Sequence, residues 1–284
     1  MTAGLLRRLY PMGLPAIGTE IAADQRAQDA AERKGCVSVI VPIYNEIDHI
    51  DELLRQIQAS PVEKEIIIID DGSTDGTREK LMDLGPSRDI TLIFHEENCG
   101  KGAAVRTGLR YARGEYILIQ DSDLEYDPQD YPVLLEPLRA GKANVVYGVR
   151  PDRPERGLRF FLGAKLLTHL SNLLYRCGIH DEATCYKVFR RSVLRQLRLE
   201  CRRFEFCPEV TAKLSRLGER IAEVPIKYNP RGAEEGKKIR HSDGWLAIWT
   251  LIRFRFTSRR QLVSPELEGE DAPFAVGFVR SPRS

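Results

Sequence analysis

Apolar positions along the chain fall into two alternating rhythms from residue 37 onward. Val37-Ser38-Val39-Ile40-Val41-Pro42 is a short, nearly continuous apolar run of the kind a buried strand needs. From Glu46 to Ser60 the apolar residues Ile47, Ile50, Leu53, Leu54 and Ile57 recur at helical spacing. Glu65-Ile66-Ile67-Ile68-Ile69-Asp70 returns to the strand rhythm after a turn at Pro61. Strand, helix and strand make a βαβ unit, which crosses over right-handed and runs parallel. The alternation continues through a helix near Thr77 to Asp83, a strand Ile90 to His95, a helix Gly102 to Ala112 and the strand Tyr116-Ile117-Leu118-Ile119. A helix over Gln129 to Ala140 and a strand Asn144 to Gly148 follow, then a long apolar helix from Leu158 to Arg176. Glu209 to Leu217 reads as helix, Ile221 to Tyr228 as an edge strand marked by Pro225, and Trp245 to Phe256 as a second apolar helix.

These elements predict an α/β fold: a doubly wound, Rossmann-like, mostly parallel sheet with C-terminal amphipathic helices over residues 36–256. Residues 1–35 lack sustained periodicity and read as a flexible leader, and 257–284 as a disordered tail. In open sheets of this kind ligands bind beyond the carboxyl ends of the strands, near the topological switch point. Three polar clusters sit at such ends: Tyr44-Asn45-Glu46, Asp70-Asp71-Gly72-Ser73, and Asp121 to Glu125.

Composition narrows the field. Hydrophobic residues make up 42% and charged residues 30%, which indicates neither wholesale disorder nor a membrane bundle. No apolar run reaches the length of a transmembrane helix. The net charge of +2 and the lack of a continuous basic, aromatic-interleaved stripe argue against nucleic acid as a partner. Six scattered cysteines without C-x-x-C pairing speak against zinc. No signal peptide is legible, so reduced thiols and a cytoplasmic location are expected, with peripheral contact at the cytoplasmic membrane face left open.

The chemistry concentrates at the strand ends. Asp121-Ser122-Asp123-Leu124-Glu125 puts carboxylates where a buried strand surfaces. Asp121 and Asp123 reach one ion only if the chain turns there, as Asp127-Pro128 suggests. Such hard oxygen ligands suit Mg2+ or Mn2+ shared with a substrate phosphate. At Asp70-Asp71 two neighbouring carboxylates repel unless donors are near, and Asp71 is placed to accept from a nucleoside. Asn98 to Arg106 lacks the spacing of a P-loop, although its glycines and Lys101 before a helix could receive an anion.

Pro42-Ile43-Tyr44-Asn45-Glu46, Asp70 to Thr77, Asn98 to Arg106 and Asp121 to Pro128, in this order, resemble the family 2 glycosyltransferases of GT-A fold. Within that family the likeness is to dolichyl-phosphate mannose synthase and bacterial polyprenyl-phosphate glycosyltransferases, over about Val37 to Phe256. The resemblance implies that Pro42, Tyr44, Glu46, Ile69 and Asp71 line a nucleoside pocket, and that Asp121, Ser122 and Asp123 meet the diphosphate. It implies a metal held by Asp121 and Asp123 with Glu125, where the family often has Gln. Arg150 matches a residue facing the donor, and Arg231 with Lys237 matches a basic pair on a mobile loop over the diphosphate. Asp181 to Lys187 resembles the acceptor-facing segment, and Arg159 and Lys165 are the candidates for an acceptor phosphate.

The activity so implied is inverting transfer of a hexose, mannose or glucose, from a nucleotide diphosphate sugar to a polyprenyl phosphate, with Asp123, Arg150 and Asp181 as the catalytic set. A lipid phosphate is already an anionic nucleophile, so positioning and charge neutralisation outweigh general-base chemistry. Two alternatives stay open: a saccharide hydroxyl as acceptor, with Asp181 as base, and a non-catalytic nucleotide-sugar binder. A dinucleotide oxidoreductase is disfavoured, because no G-x-G-x-x-G follows the first strand.

Overall fold

The computed structural model describes residues 33–84, 89–151, 158–230, 241–264 and 277–279. The first half is β1 (Arg33–Ile43), α1 (Ile50–Ala59), β2 (Lys64–Asp70), α2 (Thr77–Asp83), β3 (Ile90–Phe94), α3 (Lys101–Tyr111) and β4 (Gly114–Ile119). A 3-10 turn (Pro128–Asp130) leads into α4 (Tyr131–Arg139), β5 (Val145–Val149), α5 (Leu158–Tyr175), β6 (Lys187–Arg190) and α6 (Arg191–Arg195). The remainder is α7 (Phe206–Leu217), β7 (Ile221–Pro225), α8 (His241–Phe256), α9 (Arg259–Leu262) and β8 (Gly277–Val279).

The strands form one sheet in the order β7-β5-β6-β4-β1-β2-β3-β8. β1 pairs in parallel with both β2 and β4, β2 with β3, and β5 with β7, while β6 and β8 run against their neighbours. From β1 the chain winds through β2 and β3 toward one edge, then places β4 on the other flank of β1. The switch point therefore lies between β1 and β4. Ile66 to Ile69 are buried on both faces, as expected of a central parallel strand. Helix α3 lies close on the sheet because position 108 carries no side chain: a Cβ on Gly108 would stand 2.6 Å from Ile40 Cγ2 and 2.8 Å from Ile69 Cδ1.

Three differences from the sequence-based expectation have local causes. Helix α1 begins at Ile50 rather than Glu46. The intervening residues are held by side chains instead: Asn45 N–H donates to Ser73 Oγ (2.9 Å), Glu46 N–H to Thr77 Oγ1 (3.0 Å) and Ile47 N–H to Asp75 Oδ2 (3.2 Å). Asn45 sits at φ +51° to permit the bend. Strand β6, wedged antiparallel between β4 and β5, was not predicted because its four residues open on a lysine. Lys187 is nonetheless fully buried, its Nζ 3.5 Å from the Tyr147 ring centroid and donating to the Glu182 carbonyl at 2.9 Å.

The chain also does not leave the fold at Thr257. Leu262 of α9 is buried in a satellite core with Cys201, Ala212, Leu251 and Phe254, and Ser264 N–H donates to the Gln196 carbonyl. Beneath this core Glu209 and Lys213 form a fully buried ion pair at 2.6 Å. The Glu209 carboxylate also accepts from the Glu200 and Cys201 amides, which pins the loop that abuts the start of α3. All six cysteines are free thiols. Among the described residues no helix is long and apolar enough to cross a membrane.

Candidate functional site

The carboxyl ends of β1, β2, β4 and β5 bring most of the expected residues to one rim of the sheet. Pro42 and Ile69 are register partners on β1 and β2, both buried. Just beyond them Asn45 Oδ1 accepts from Thr74 N–H at 2.8 Å, so the β1 and β2 loops are zipped together. Glu46 is buried beside His49, with Oε2 3.0 Å from Nδ1, and Tyr44 is half-buried.

The paired aspartates find the donors that their proximity requires. Asp70 is fully buried and accepts from Arg78 Nε at 2.7 Å, while the Arg78 guanidinium also reaches the His95 carbonyl. The Asp71 carboxylate, also buried, accepts from Cys99 N–H (2.9 Å) and Gly100 N–H (2.7 Å) and meets His95 Nδ1 at 2.7 Å. Asp71 is thereby a clamp on the loop that starts α3. These bonds take up three amides of the 98–106 segment: Cys99 and Gly100 donate to Asp71, and Ala103 N–H donates to the Arg202 carbonyl. Among the described residues Asp71, His95 and Cys99 are also the group whose possible metal-ligand atoms lie within 4.8 Å of one another. Burial raises the Cys99 thiol pKa, and both Asp71 oxygens already accept amide hydrogens, so the cluster reads as a structural lock.

After β4 the chain bends over residues 122–124. Leu124 adopts φ +59°, and Glu125 N–H donates to Asp123 Oδ1 at 3.2 Å. Buried Gln120 braces this turn. Its Nε2 donates to the Asp121 carbonyl at 2.8 Å, while its Oε1 accepts from the hydroxyls of Tyr131 (2.8 Å) and Tyr186 (2.7 Å). Asp121 Oδ1 lies 2.5 Å from Lys101 Nζ, which also approaches Cys185 Sγ at 3.3 Å. Burial opposes the Lys101 charge, but Asp121 outweighs it and the ammonium pKa stands well above the ordinary lysine value. Burial and the nearby Asp121 push the Cys185 thiol pKa up, which removes it as a nucleophile.

Glu125 has partners of its own. Its Oε2 accepts from the Tyr228 hydroxyl at 2.7 Å, and Asn229 N–H donates to the Glu125 carbonyl at 2.8 Å. Asp121, Asp123 and Glu125 do not bring three ligand atoms within 4.8 Å of one another. The two aspartates could hold a metal of the kind that takes one or two protein carboxylates and completes its shell with phosphate and water.

Arg150, at the end of β5, forks onto Asp181: Nε to Oδ2 at 2.7 Å, Nη2 to Oδ1 at 2.8 Å, with its backbone N–H to Oδ2 at 3.2 Å. Its guanidinium lies 5.0 Å over the Tyr228 ring. Burial disfavours the cation, yet Tyr126 and Asp181 more than offset it, so Arg150 stays charged. Asp181 is held from behind, since the amides of His180 (2.7 Å) and Asp181 (3.3 Å) donate to Glu223 Oε1. Helix α5 supports the same segment: Thr168 Oγ1 accepts from Glu182 N–H at 3.0 Å and Asn172 Oδ1 from Ile179 N–H at 2.9 Å.

Ser122 is buried within the turn, and Lys165 lies on α5 with its Nζ 5.5 Å from the Phe161 ring centroid. Arg159 is in the first turn of α5, but its side chain, like Arg231 and Lys237, lies outside the described residues. Gln120 and Tyr228 were missed by sequence reasoning. Gln120 is legible only as the residue before Asp121, and Tyr228 as an aromatic ending an edge strand; neither position by itself signals a site.

The model of the family described as glycosyl transferase family 2 matches residues 38–198. Among curated proteins, the undecaprenyl-phosphate 4-deoxy-4-formamido-L-arabinose transferase of Pseudomonas aeruginosa is 30% identical over 213 residues, covering 71% of this chain and 60% of that protein. The dodecaprenyl-phosphate galacturonate synthase of Rhizobium johnstonii is 29% identical over 201 residues, covering 69% and 59%. The chain thus spans about three fifths of the length of these relatives. Among solved structures, glucosyl-3-phosphoglycerate synthase from Mycobacterium tuberculosis, in complex with Mn2+, UDP and phosphoglyceric acid, superposes with a TM-score of 0.61. It is 22% identical, covering 78% of this chain and 79% of that one, a likeness of fold.

Proposed function

From the premise that this chain belongs to glycosyl transferase family 2 and has its GT-A fold, we propose that its strand-end site transfers a sugar from a nucleotide diphosphate donor to a polyprenyl phosphate, with inversion at the anomeric carbon. The observation that carries the reading is that Tyr228 links the two charged groups: its hydroxyl donates to Glu125 beside the Asp121–Asp123 bend, and its ring lies 5.0 Å from the Arg150 guanidinium that forks onto Asp181. The relatives named above act on undecaprenyl and dodecaprenyl phosphates, and the same acceptor class is proposed here. Mannose or glucose is the proposed sugar.

In this reading Pro42, Tyr44, Glu46 and Ile69 line the nucleoside end, and Asp71 shapes its floor through the loop it clamps. Asp121 and Asp123 would hold Mg2+ or Mn2+; when bound, the ion supplies positive charge against the leaving diphosphate. Arg150 adds a fixed cation that needs no reorganisation as charge develops, because Asp181 and Tyr228 already hold its plane. Arg231 and Lys237 are proposed to close over the diphosphate, and Arg159 with Lys165 to receive the acceptor phosphate. Glu125, tied to Tyr228, tethers the strand that leads toward residue 231.

The Arg150 fork also weighs against a saccharide hydroxyl as acceptor. A general base needs a lone pair free to take a proton, whereas both Asp181 oxygens accept from a guanidinium. A panel of GDP-mannose, UDP-glucose and UDP-galacturonate, each with Mg2+ and Mn2+, tests the proposal by label transfer to a short-chain polyprenyl phosphate in detergent. Transfer from at least one donor into the organic phase is the expected result. Absence of transfer from all of them, or transfer only to saccharides, overturns it.

A further inference from the structure

Glu182 follows the aspartate of the Arg150–Asp181 fork by one residue and is fully buried, yet none of the chemistry above uses it. Four elements converge on it. Its N–H donates to Thr168 Oγ1 of α5 at 3.0 Å, and its carbonyl accepts from Lys187 Nζ of β6 at 2.9 Å. Side chains therefore hold the main chain of this residue on both sides. Its carboxyl Oε1 accepts from Thr211 Oγ1 of α7 at 3.0 Å, and the Tyr147 hydroxyl of β5 meets the same Thr211 oxygen at 2.8 Å.

The acid and the base in this pocket do not make the pair that their charges invite. Lys187 is as deeply buried as Glu182, but its ammonium lies on the Glu182 carbonyl and 3.5 Å from the Tyr147 ring centroid, not on the Glu182 carboxyl. Glu182 Oε2 and the neighbouring Ser171 Oγ of α5 are buried without a hydrogen-bond partner among the described residues. A carboxylate so placed would have one hydroxyl donor and no counterion, which a buried charge requires. A neutral acid fits the arrangement as it stands. Burial, opposed first by Lys187, lifts the Glu182 pKa to about 7, which agrees with that geometry.

The other titratable groups that face Glu182 are Asp181 beside it, Tyr175 and Cys177 from the end of α5 and the turn after it, Tyr147 of β5 and Cys207 of α7. On the outer side of the same segment His180 pairs with Glu223 at 2.6 Å. Lys187 is the cation among the groups around the carboxyl, and it already touches the main chain of the same residue.

We propose that Glu182 is a positioning residue that works as a neutral acid: protonated, it leaves Lys187 on its carbonyl and keeps residues 179–184 set behind Arg150, and ionised, it draws the ammonium onto its carboxylate and releases that carbonyl. Transfer then falls as pH rises past neutrality, although no group at the reacting centre changes its charge. The proposal deepens the functional reading above and rests on it for the rate alone. The infrared and exchange measurements below need neither donor nor acceptor, so the two can fail separately.

In wild-type protein labelled with carbon-13 glutamate, the infrared band of a protonated carboxylic acid should bleach as pH is raised from about 6 to about 8. Glu182→Gln, a neutral isostere, should lack the band. Over the same range hydrogen exchange in the peptide covering residues 179–186 should quicken severalfold beyond its intrinsic pH dependence in the wild type, and not in the variant. The wild-type kcat/KM should fall about tenfold, the change in the neutral fraction of one titrating group, while Glu182→Gln keeps its rate. A wild-type protein without a titrating band overturns the proposal, and that measurement stands even where the variant fails to fold. A folded Glu182→Gln that shows the wild-type loss of rate and gain in exchange overturns it as well, as does one that is inactive at every pH.

Discussion

Asp181→Asn asks whether Asp181 is a clamp or a base. The Asp181 carboxylate takes the Arg150 backbone N–H at 3.2 Å and its guanidinium at 2.7 and 2.8 Å. Asparagine keeps one acceptor oxygen but turns an NH2 group against the fork, so one charge-assisted hydrogen bond is lost, worth about 1.5–3 kcal/mol. If Arg150 is needed in its held orientation, that loss appears in the barrier as a fall in kcat/KM of about ten- to a hundredfold. The assay is initial-rate transfer to polyprenyl phosphate across pH, with a thermal melt to confirm folding. The shape of the pH profile should be unchanged, because no proton transfer by Asp181 is involved. Disappearance of an acidic limb together with a loss beyond about ten-thousandfold, the upper range for general-base catalysis, would refute the clamp. Wild-type kinetics would refute it equally.

Neighbouring Glu182 gives a prediction about stability. It is fully buried, and burial, partly offset by Lys187 and by the Thr211 hydroxyl 3.0 Å away, lifts its pKa to about 7. The raised value means stability is fullest below the unfolded carboxyl range near 4.5 and is lost as pH rises to about 7. At about 1.4 kcal/mol per tenfold change in proton affinity the loss is about 3 kcal/mol. Glu182→Gln should flatten that slope, read by urea unfolding at pH 5, 6, 7 and 8 (about the range spanned); parallel curves for the two proteins would count against it. Lys101→Met removes the cation 2.5 Å from Asp121 and should tighten Mn2+ binding to the nucleotide-free protein, measured by electron paramagnetic resonance; unchanged or weaker binding would mean that Lys101 serves only to orient Asp121. Gly108→Ala forces a Cβ against Ile40 and Ile69 at 2.6–2.8 Å and should destabilise by about 1–3 kcal/mol, the usual cost of overpacking, visible as a lowered Tm.

Much of the β1–β4 half was legible in the chain because each element there has a single period. Ile66 to Ile69 can only be a strand buried on both faces, and α1 carries its apolar residues in one stripe. Where side chains replace the backbone ladder, legibility fails: Glu46 looks helical by spacing, but Thr77 and Asp75 hold its segment in a bend. Strand β6 was hidden by Lys187, whose ammonium is paid for by a carbonyl and an aromatic ring that are distant or silent in sequence.

At the site, carboxylates where a buried strand surfaces marked Asp121 and Asp123, whereas Arg150 was marked by its match to the family's donor-facing arginine. Their partners came from folding. Lys101 faces Asp121 from 20 residues earlier, Asp181 forks Arg150 from 31 residues later, and Tyr228 reaches Glu125 across 103 residues.

The amino-acid sequence by itself determined the α/β alternation, the strand-end motifs and the family, because these are written in local periodicity and short runs. Only the tertiary structure decided which charges neutralise one another and which faces stay open. Asp71 became a loop clamp, Glu125 a tether, and α5 with α8 an apolar surface rather than a wholly buried pair. Pairing and exposure depend on what the rest of the chain brings within a few ångströms, and no local pattern carries that information.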